Sequence, residues 1–345
     1  MRSSLMFRRV SLVFVAAVSL AASGLFLGCG DSTAPAPQTW NQETLPSALG
    51  GTGLLGVASS GTHIISVGAQ SSSGSLIPVI LSNTGSGWVR ILQSTLPSNA
   101  AYSAAAFTDD GKGVFAGAKG QVQIDQVSVW DERSGSWQES IPVTSGLANE
   151  IVYGGGRFWL GGTDNGGMLL YSDEPGTWIR DNSAWNTPQE KHVWDMDYGK
   201  GTDNQDVFVA VGKDDAAGQN TNFLMVNRGD GWVHVASHPR SDDPNTDYSA
   251  VSIQDGGVLV GGSTPSAVPA KSGQAQEREA FLIQYSDTQS EWIDIVLPDP
   301  AAMQRVNAIH HAADGTYYLV CGDGTASVWH FTGTGWTQEG TWANA

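Results

Sequence analysis

The sequence predicts an all-β fold assembled from six copies of a four-stranded unit, and three observations carry that prediction. Glycine occurs 43 times in 345 residues and tryptophan 13 times, while only 15% of residues are charged. Such a composition suits short strands and tight turns. Six tryptophans, Trp88, Trp137, Trp178, Trp232, Trp292 and Trp336, stand 41 to 60 residues apart, most of them directly after a turn such as Ser86-Gly87 or Asp230-Gly231. Seven residues before each lies a large apolar residue: Leu81, Trp130, Tyr171, Met225, Tyr285 or Trp329.

Each copy divides further. Upstream of the Trp pair runs a β-rich segment closing on glycine: Ile64 to Gly68, Val114 to Gly117, Phe158 to Gly161, Val209 to Gly212, Val258 to Gly261 and Tyr318 to Gly322. Before that comes a further run, such as Ser249 to Ile253 or Asn307 to His311, joined to the next by a turn such as Ala313-Asp314-Gly315. The unit is four strands, A to D, with the signature Trp opening D. No helix-period segment of useful length interrupts them, and the repeat length suits the blades of a β-propeller. One sheet cannot bury both its faces, whereas a ring of sheets can, and a Trp fixed in each copy supplies contact between neighbours. Gln38 to Glu43, around Trp40, reads as a spare outer strand with no A to C before it, so six blades are expected and seven are the alternative.

The spacing of apolar residue, six-residue gap and Trp, together with the glycine-ended second strand, resembles the kelch repeat. Phe158 to Gly162 with Tyr171 and Trp178, and Val258 to Gly262 with Tyr285 and Trp292, are the nearest copies. The second glycine of the kelch pair is replaced by Ala69, Ala118, Lys213 and Asp323 in the others. The resemblance implies a propeller across residues 40–345.

The N-terminus is an address rather than a fold element. Arg2, Arg8 and Arg9 precede an uncharged run from Val10 to Leu27, which ends in Gly28-Cys29 and a tether rich in Ser, Ala and Pro. This resembles a bacterial lipoprotein signal, which implies removal of residues 1–28, lipidation of Cys29 and a flexible tether over 29–39. An ordinary cleaved signal or an uncleaved anchor is the alternative. The resemblance places the chain in the bacterial cell envelope, anchored to a membrane by lipid on the periplasmic or cell-surface side. With Cys29 acylated, Cys321 has no partner for a disulfide, and its apolar surroundings mark it as a buried small hydrophobe.

The chain carries 17 basic and 34 acidic residues, a net charge of −17. A polyanion so poor in Lys and Arg cannot displace counterions from phosphates, which excludes nucleic acid as a partner. Alternate connections of an up-and-down sheet leave from opposite ends, so A–B and C–D turns share one face of the ring and B–C and D–A loops the other. The second face receives the long insertions, Arg180 to His192, Asp214 to Asn222, His238 to Tyr248, Ser263 to Glu279 and Val296 to Arg305. Binding concentrates on long loops held by a rigid scaffold. The candidate ligand-binding residues are therefore Trp185, His192, Arg240, Asp242, Asp243 and Arg305 on that face, with Trp194, Asp195 and His310 nearer the central channel. Lys213, Asp247 and Arg278 lie on the same face, and Glu150 and Asp197 on the channel side. Asp242, Asp243 and Asp247 could hold a calcium ion, since hard cations take several oxygens, although no Asp-x-Asp-x-Asp-Gly loop is present; no other cofactor or metal is expected.

Catalytic motifs are lacking. The seven histidines fall in no His-Glu-x-x-His frame, and neither a Gly-x-Ser-x-Gly elbow nor a phosphate loop occurs. Adjacent His310 and His311 point to opposite sides of one strand and cannot share an ion. Ser172 to Trp178 resembles the Asp-box of sialidase-like enzymes with its glycine one place late, and that resemblance implies a carboxylate-binding set from Arg180, Arg240 and Arg305. The reading is a monomeric binding module for an envelope protein or glycan. Its alternative is a saccharide hydrolase or lyase drawing acid and base from Glu150, Asp195 or Asp197.

Overall fold

A computed structural model describes residues 46 and 52–343, except 92–94, 121–125, 134, 165–166, 175, 184–190, 215–220, 236–237, 241–242, 244, 255–256, 268–275, 287–290, 313–314 and 324. The expected signal, Cys29, the tether and the Trp40 strand lie outside these residues, as do Trp185 and Asp242. The described residues are all-β apart from one helical turn, and their strands form a propeller-like arrangement.

Among the described residues, twenty-four strands follow the A-to-D pattern. The first unit comprises β1 (Thr52–Ser60), β2 (His63–Ser72), β3 (Ser75–Asn83) and β4 (Trp88–Arg90). The second is β5 (Ala100–Phe107), β6 (Gly113–Lys119), β7 (Gln126–Arg133) and β8 (Ser136–Val143); the third is β9 (Leu147–Gly154), β10 (Arg157–Thr163), β11 (Met168–Ser172) and β12 (Ile179–Arg180). The fourth runs through β13 (Lys191–Lys200), β14 (Asp206–Asp214), β15 (Thr221–Asn227) and β16 (Trp232–His234), and the fifth through β17 (Asp247–Gln254), β18 (Gly257–Pro265), β19 (Arg278–Ser286) and β20 (Glu291–Asp294). After the helical turn α1 (Pro300–Met303), the last unit is β21 (Val306–His311), β22 (Tyr317–Cys321), β23 (Thr325–Phe331) and β24 (Trp336–Ala343). Four units are separate four-stranded antiparallel sheets. The third and fourth are merged into one eight-stranded sheet through a single pair, Thr163 with His192.

Each A strand lies against the A strand of the next unit, from β1 through β5, β9, β13 and β17 to β21. Apolar clusters fill the spaces between successive units. Ile65, Val67 and Ile80 meet Tyr102, Phe115 and Trp130, and Val114 and Val129 meet Ile151 and Leu160. Trp159 and Leu169 meet Val193 and Met225, Val209 and Leu224 meet Val251 and Val260, and Leu259 and Leu282 meet Val306 and Leu319. Each fully buried aliphatic or aromatic side chain contributes about 1.5–3 kcal/mol. The signature tryptophans belong to this packing: Trp88 and Trp232 are buried, and Trp137, Trp178, Trp292 and Trp336 are half-buried against it. Cys321 is buried among apolar neighbours, and burial pushes its thiol up to about 12.

The recurring glycine has a steric cause. Every A strand carries one extra residue at an equivalent place: Leu55, Ser103, Asn149, Trp194, Ser249 and Asn307. This bulge pushes a carbonyl toward strand B, where a Cβ on Gly68, Gly117, Gly162, Gly212 or Gly262 would overlap the oxygen of Gly53, Ala101, Leu147, His192 or Asp247, respectively. The equivalent glycines in the third and fifth units are therefore Gly162 and Gly262, not Gly161 and Gly261 as the sequence pattern suggested. In the last unit the position belongs to Cys321, which pairs with Val306.

The insertion between Val296 and Arg305 is not wholly loop. Asp299 Oδ1 accepts a hydrogen bond from the Ala302 amide (3.1 Å), Pro300 occupies the first helical turn, and Met303 is buried against the fifth and sixth units. Gly212→Ala should lower stability by about 2–4 kcal/mol in urea denaturation, whereas Gly335→Ala, where a Cβ meets open space, should stay within about 0.5 kcal/mol.

Candidate functional site

Where the A strands approach one another, side chains join unit to unit. Ser103 Oγ donates to Ala148 O (2.6 Å), Asn149 Nδ2 to Val193 O (2.7 Å) and Ser249 Oγ to Val306 O (2.7 Å). Donor and acceptor recur in register: the bulge residue of one unit reaches the carbonyl just before the bulge of the next. Between the fourth and fifth units the bulge residue is Trp194, and carboxylates make the bridge instead. Asp195 Oδ2 accepts from Val251 N (2.8 Å), and Asp197 Oδ2 accepts from Ile253 N and Ser252 Oγ (2.9 Å each).

Asp195, Asp197 and Glu150 form an acidic group along β9 and β13. Burial raises all three carboxyls: Asp195 to about 7, Asp197 to about 6, and Glu150 well above the usual carboxylate range, where the neighbouring Asp195 charge adds to the effect. Backbone amides donating to Asp195 and Asp197 oppose the rise. Ser252 Oγ also lies 3.0 Å from His311 Nδ1. The hydroxyl stands between carboxylate and imidazole and is itself buried, an order that positions a strand rather than activating a nucleophile.

A second group gathers at the end of the ring that carries the B–C and D–A connections. Asp247 opens β17 and is buried. Lys213 Nζ lies 3.2 Å from its Oδ1, and Arg278 Nη2 and Arg305 Nη2 lie 3.2 and 3.0 Å from its Oδ2. Three units meet there, since Lys213 lies next to the end of β14, Arg278 opens β19 and Arg305 precedes β21. Ser263 Oγ, fully buried on β18, accepts from Arg278 Nε (2.8 Å) and Arg305 Nε (3.2 Å). Next to Lys213 in strand register is His192, whose ring stacks on Trp194 with centroids 5.1 Å apart and planes within 6°. His192 Nδ1 also meets Thr163 Oγ1 at 2.8 Å.

Among the described candidates from sequence, the structure brings Arg305, His192 and Trp194 to this face and leaves Asp195 along the channel strands. The others go elsewhere. Arg240 donates to Asp294 (2.7 Å) and lies over the Phe281 ring, and Asp243 caps a turn through Asn245 N and Thr246 Oγ1. His310 is on β21, paired with Tyr318 on the opposite side from His311. Of the calcium candidates, Asp243 holds its turn, Asp247 is met by side-chain cations, and Asp242 lies outside the described residues. Arg180, Arg240 and Arg305 do not act as one set, because they go to Asp164, Asp294 and Asp247. Lys213, Asp247 and Arg278 were legible only as separate loop charges; Ser263 gave no signal at all.

No protein-family profile and no curated protein matches the chain. Solved structures do. YCF48 bound to D1 peptide superposes with a TM-score of 0.50 at 13% identity, covering 83% of this chain and 82% of that one. The SapL1 lectin in complex with α-methyl fucoside gives 0.53 at 11% identity, covering 85% and 96%, and hydrazine synthase from Kuenenia stuttgartiensis gives 0.52 at 12%, covering 87% and 80%. These likenesses show a β-propeller-like fold.

The acidic group imposes a pH dependence of definite sign. Asp195 and Asp197 keep protons in the folded chain that the unfolded chain gives up near 3.8, so their stabilising contribution is complete below that value and is lost as pH rises through about 6 to 7. The melting temperature should fall across this window, and Asp195→Asn should flatten the fall.

Proposed function

We propose that this protein is a membrane-anchored envelope lipoprotein whose six-bladed, kelch-like propeller binds a protein or glycan through the face bearing its B–C and D–A connections. The count of six rests on six A-to-D meanders, with the merged sheet read as two blades joined at Thr163 and His192. Anchoring rests on the basic start, the apolar run and Cys29. The observation that carries the binding reading is topological: in the third to fifth units the described B strands end, the C strands begin and the D strands end at the same end of the sheets, the end that holds Asp247 and its cations. The folds it resembles include one bound to a peptide and one bound to a sugar, the two partner classes proposed.

A saccharide hydrolase or lyase is the second reading, favoured by the raised carboxyls of Glu150, Asp195 and Asp197. Binding is preferred because Asp195 and Asp197 already accept backbone amides of β17, which commits them to holding two blades together.

Two experiments test these readings. Cys29→Ser should move the protein from the membrane fraction to the soluble fraction of the envelope; retention in the membrane argues for an uncleaved anchor. In pull-downs from envelope extract, the full chain should retain a partner that is lost when 215–220 and 268–275 are replaced by Gly-Ser. Saccharide turnover abolished by Asp195→Asn with the fold intact would support the enzyme instead.

A further inference from the structure

Among the described residues, five apolar clusters each join two successive units, whereas Leu54, Ile64, Val79, Leu81 and Trp88 form a cluster drawn from the first unit alone. This is the face of the first sheet turned away from the second unit. All five side chains are nevertheless buried, Val79 and Leu81 completely, within a single copy of the chain. Trp88 adds a polar requirement, because its indole Nε1 is buried without a hydrogen-bond partner, a costly state for a donor.

The junction of the fifth and sixth units shows how both needs are met elsewhere. Trp336 Nε1 donates to Val296 O (3.0 Å), in the connection that follows β20. The next residue, Leu297, is buried in one cluster with Tyr317, Leu319 and Trp336 of the sixth unit, and Pro298 follows it. A residue before proline is held extended, which lets carbonyl and side chain be presented in succession. Counted from Trp292, the accepting carbonyl stands fourth, the leucine fifth and the proline sixth. Trp40 repeats this spacing with Thr44, Leu45 and Pro46.

The residue before a proline packs in the same way ahead of two other units. Leu96 joins the cluster of Tyr102 and Trp130, and His238 lies against the Tyr248 and Trp292 rings. Trp178 and Trp232 also keep buried, unpaired indoles. The connection before Trp178 brings Ile141-Pro142 one place early, and the connection before Trp232 includes 184–190, outside the described residues.

We propose that residues 40–46 cover the first unit as the end of β20 and its connection cover the sixth, with Leu45 completing the Leu54–Trp88 cluster and the Thr44 carbonyl accepting the Trp88 indole. Pro46 is half-buried close before β1. A second copy is disfavoured as the cover, since molecules of net charge −17 repel one another. The expected tether over 29–39 then ends where an outer strand opens, at the end of the sheets that carries the tight turns, and the long-loop face is left clear of the attachment. That last consequence alone rests on the anchored reading above.

Hydrogen exchange and thermal melting of the full chain test the proposal. Replacing 40–45 by Gly-Ser should speed exchange of the amides in 63–68 and 79–83 by about tenfold or more, while those in 258–264 and 279–285 keep their protection. Leu45→Ala should lower the melting temperature by about 4 °C or more, as should Leu297→Ala at the sixth unit. If the Gly-Ser variant does not fold, Leu45→Ala decides. Protection of the first unit and a melting temperature that both survive these changes overturn the proposal. So does protection of the first unit that follows protein concentration and not residues 40–45, which assigns the face to a second copy. Fractionation of Cys29→Ser decides anchoring separately, so either reading fails without the other.

Discussion

A single backbone irregularity, repeated six times, holds this molecule in its form. One extra residue in each innermost strand turns a carbonyl toward the second strand, and five of the six units meet that carbonyl with a glycine that has no Cβ to collide. The side chain of the bulge residue is freed from the sheet's ordinary alternation, and in three units it reaches the next unit's pre-bulge carbonyl. Packing between sheets is non-directional. These hydrogen bonds give it an angle and a register, and the carbonyl they capture belongs to the same distortion that the next glycine accommodates.

The junction between the fourth and fifth units departs from this pattern. Its bulge residue, Trp194, is an aromatic ring stacked on His192, so the inter-unit bridge passes to Asp195 and Asp197 one and three residues on. The exchange has two consequences. Carboxylates enter an enclosed part of the ring, where their charge is opposed by burial, and an aromatic pair is placed at the rim of the face with the longest connections. The third and fourth units are also the pair whose sheets merge, at the Thr163–His192 contact beside that ring. Irregularity in the scaffold and the candidate site thus coincide in space.

Charge is divided along the sheets. Asp195 and Asp197 on the inner strands accept amides from the neighbouring unit, whereas Asp247 at the start of β17 collects cations from three units. In a chain with twice as many acidic as basic residues, three cations are drawn to one buried carboxylate.

The repeat was legible because its causes are local. A turn, a Trp, an apolar residue seven places back and a glycine-ended strand are all consequences of hairpin geometry, so four strands per unit, their order and the separation of short from long connections follow from sequence. Charges scattered over the loops carried no comparable signal. Lys213, Asp247, Arg278 and Arg305 are spread over almost a hundred residues, and they meet only because three blades present the same end to one another; Arg240, equally plausible in sequence, is drawn instead to Asp294 and Phe281. Even the glycine needed correction, from Gly161 and Gly261 to Gly162 and Gly262, because the bulge that selects it lies on another strand. Periodic, short-range constraints wrote the architecture into the chain, whereas the meeting of charges across blades was decided by tertiary packing, which brings distant residues together without leaving a pattern between them.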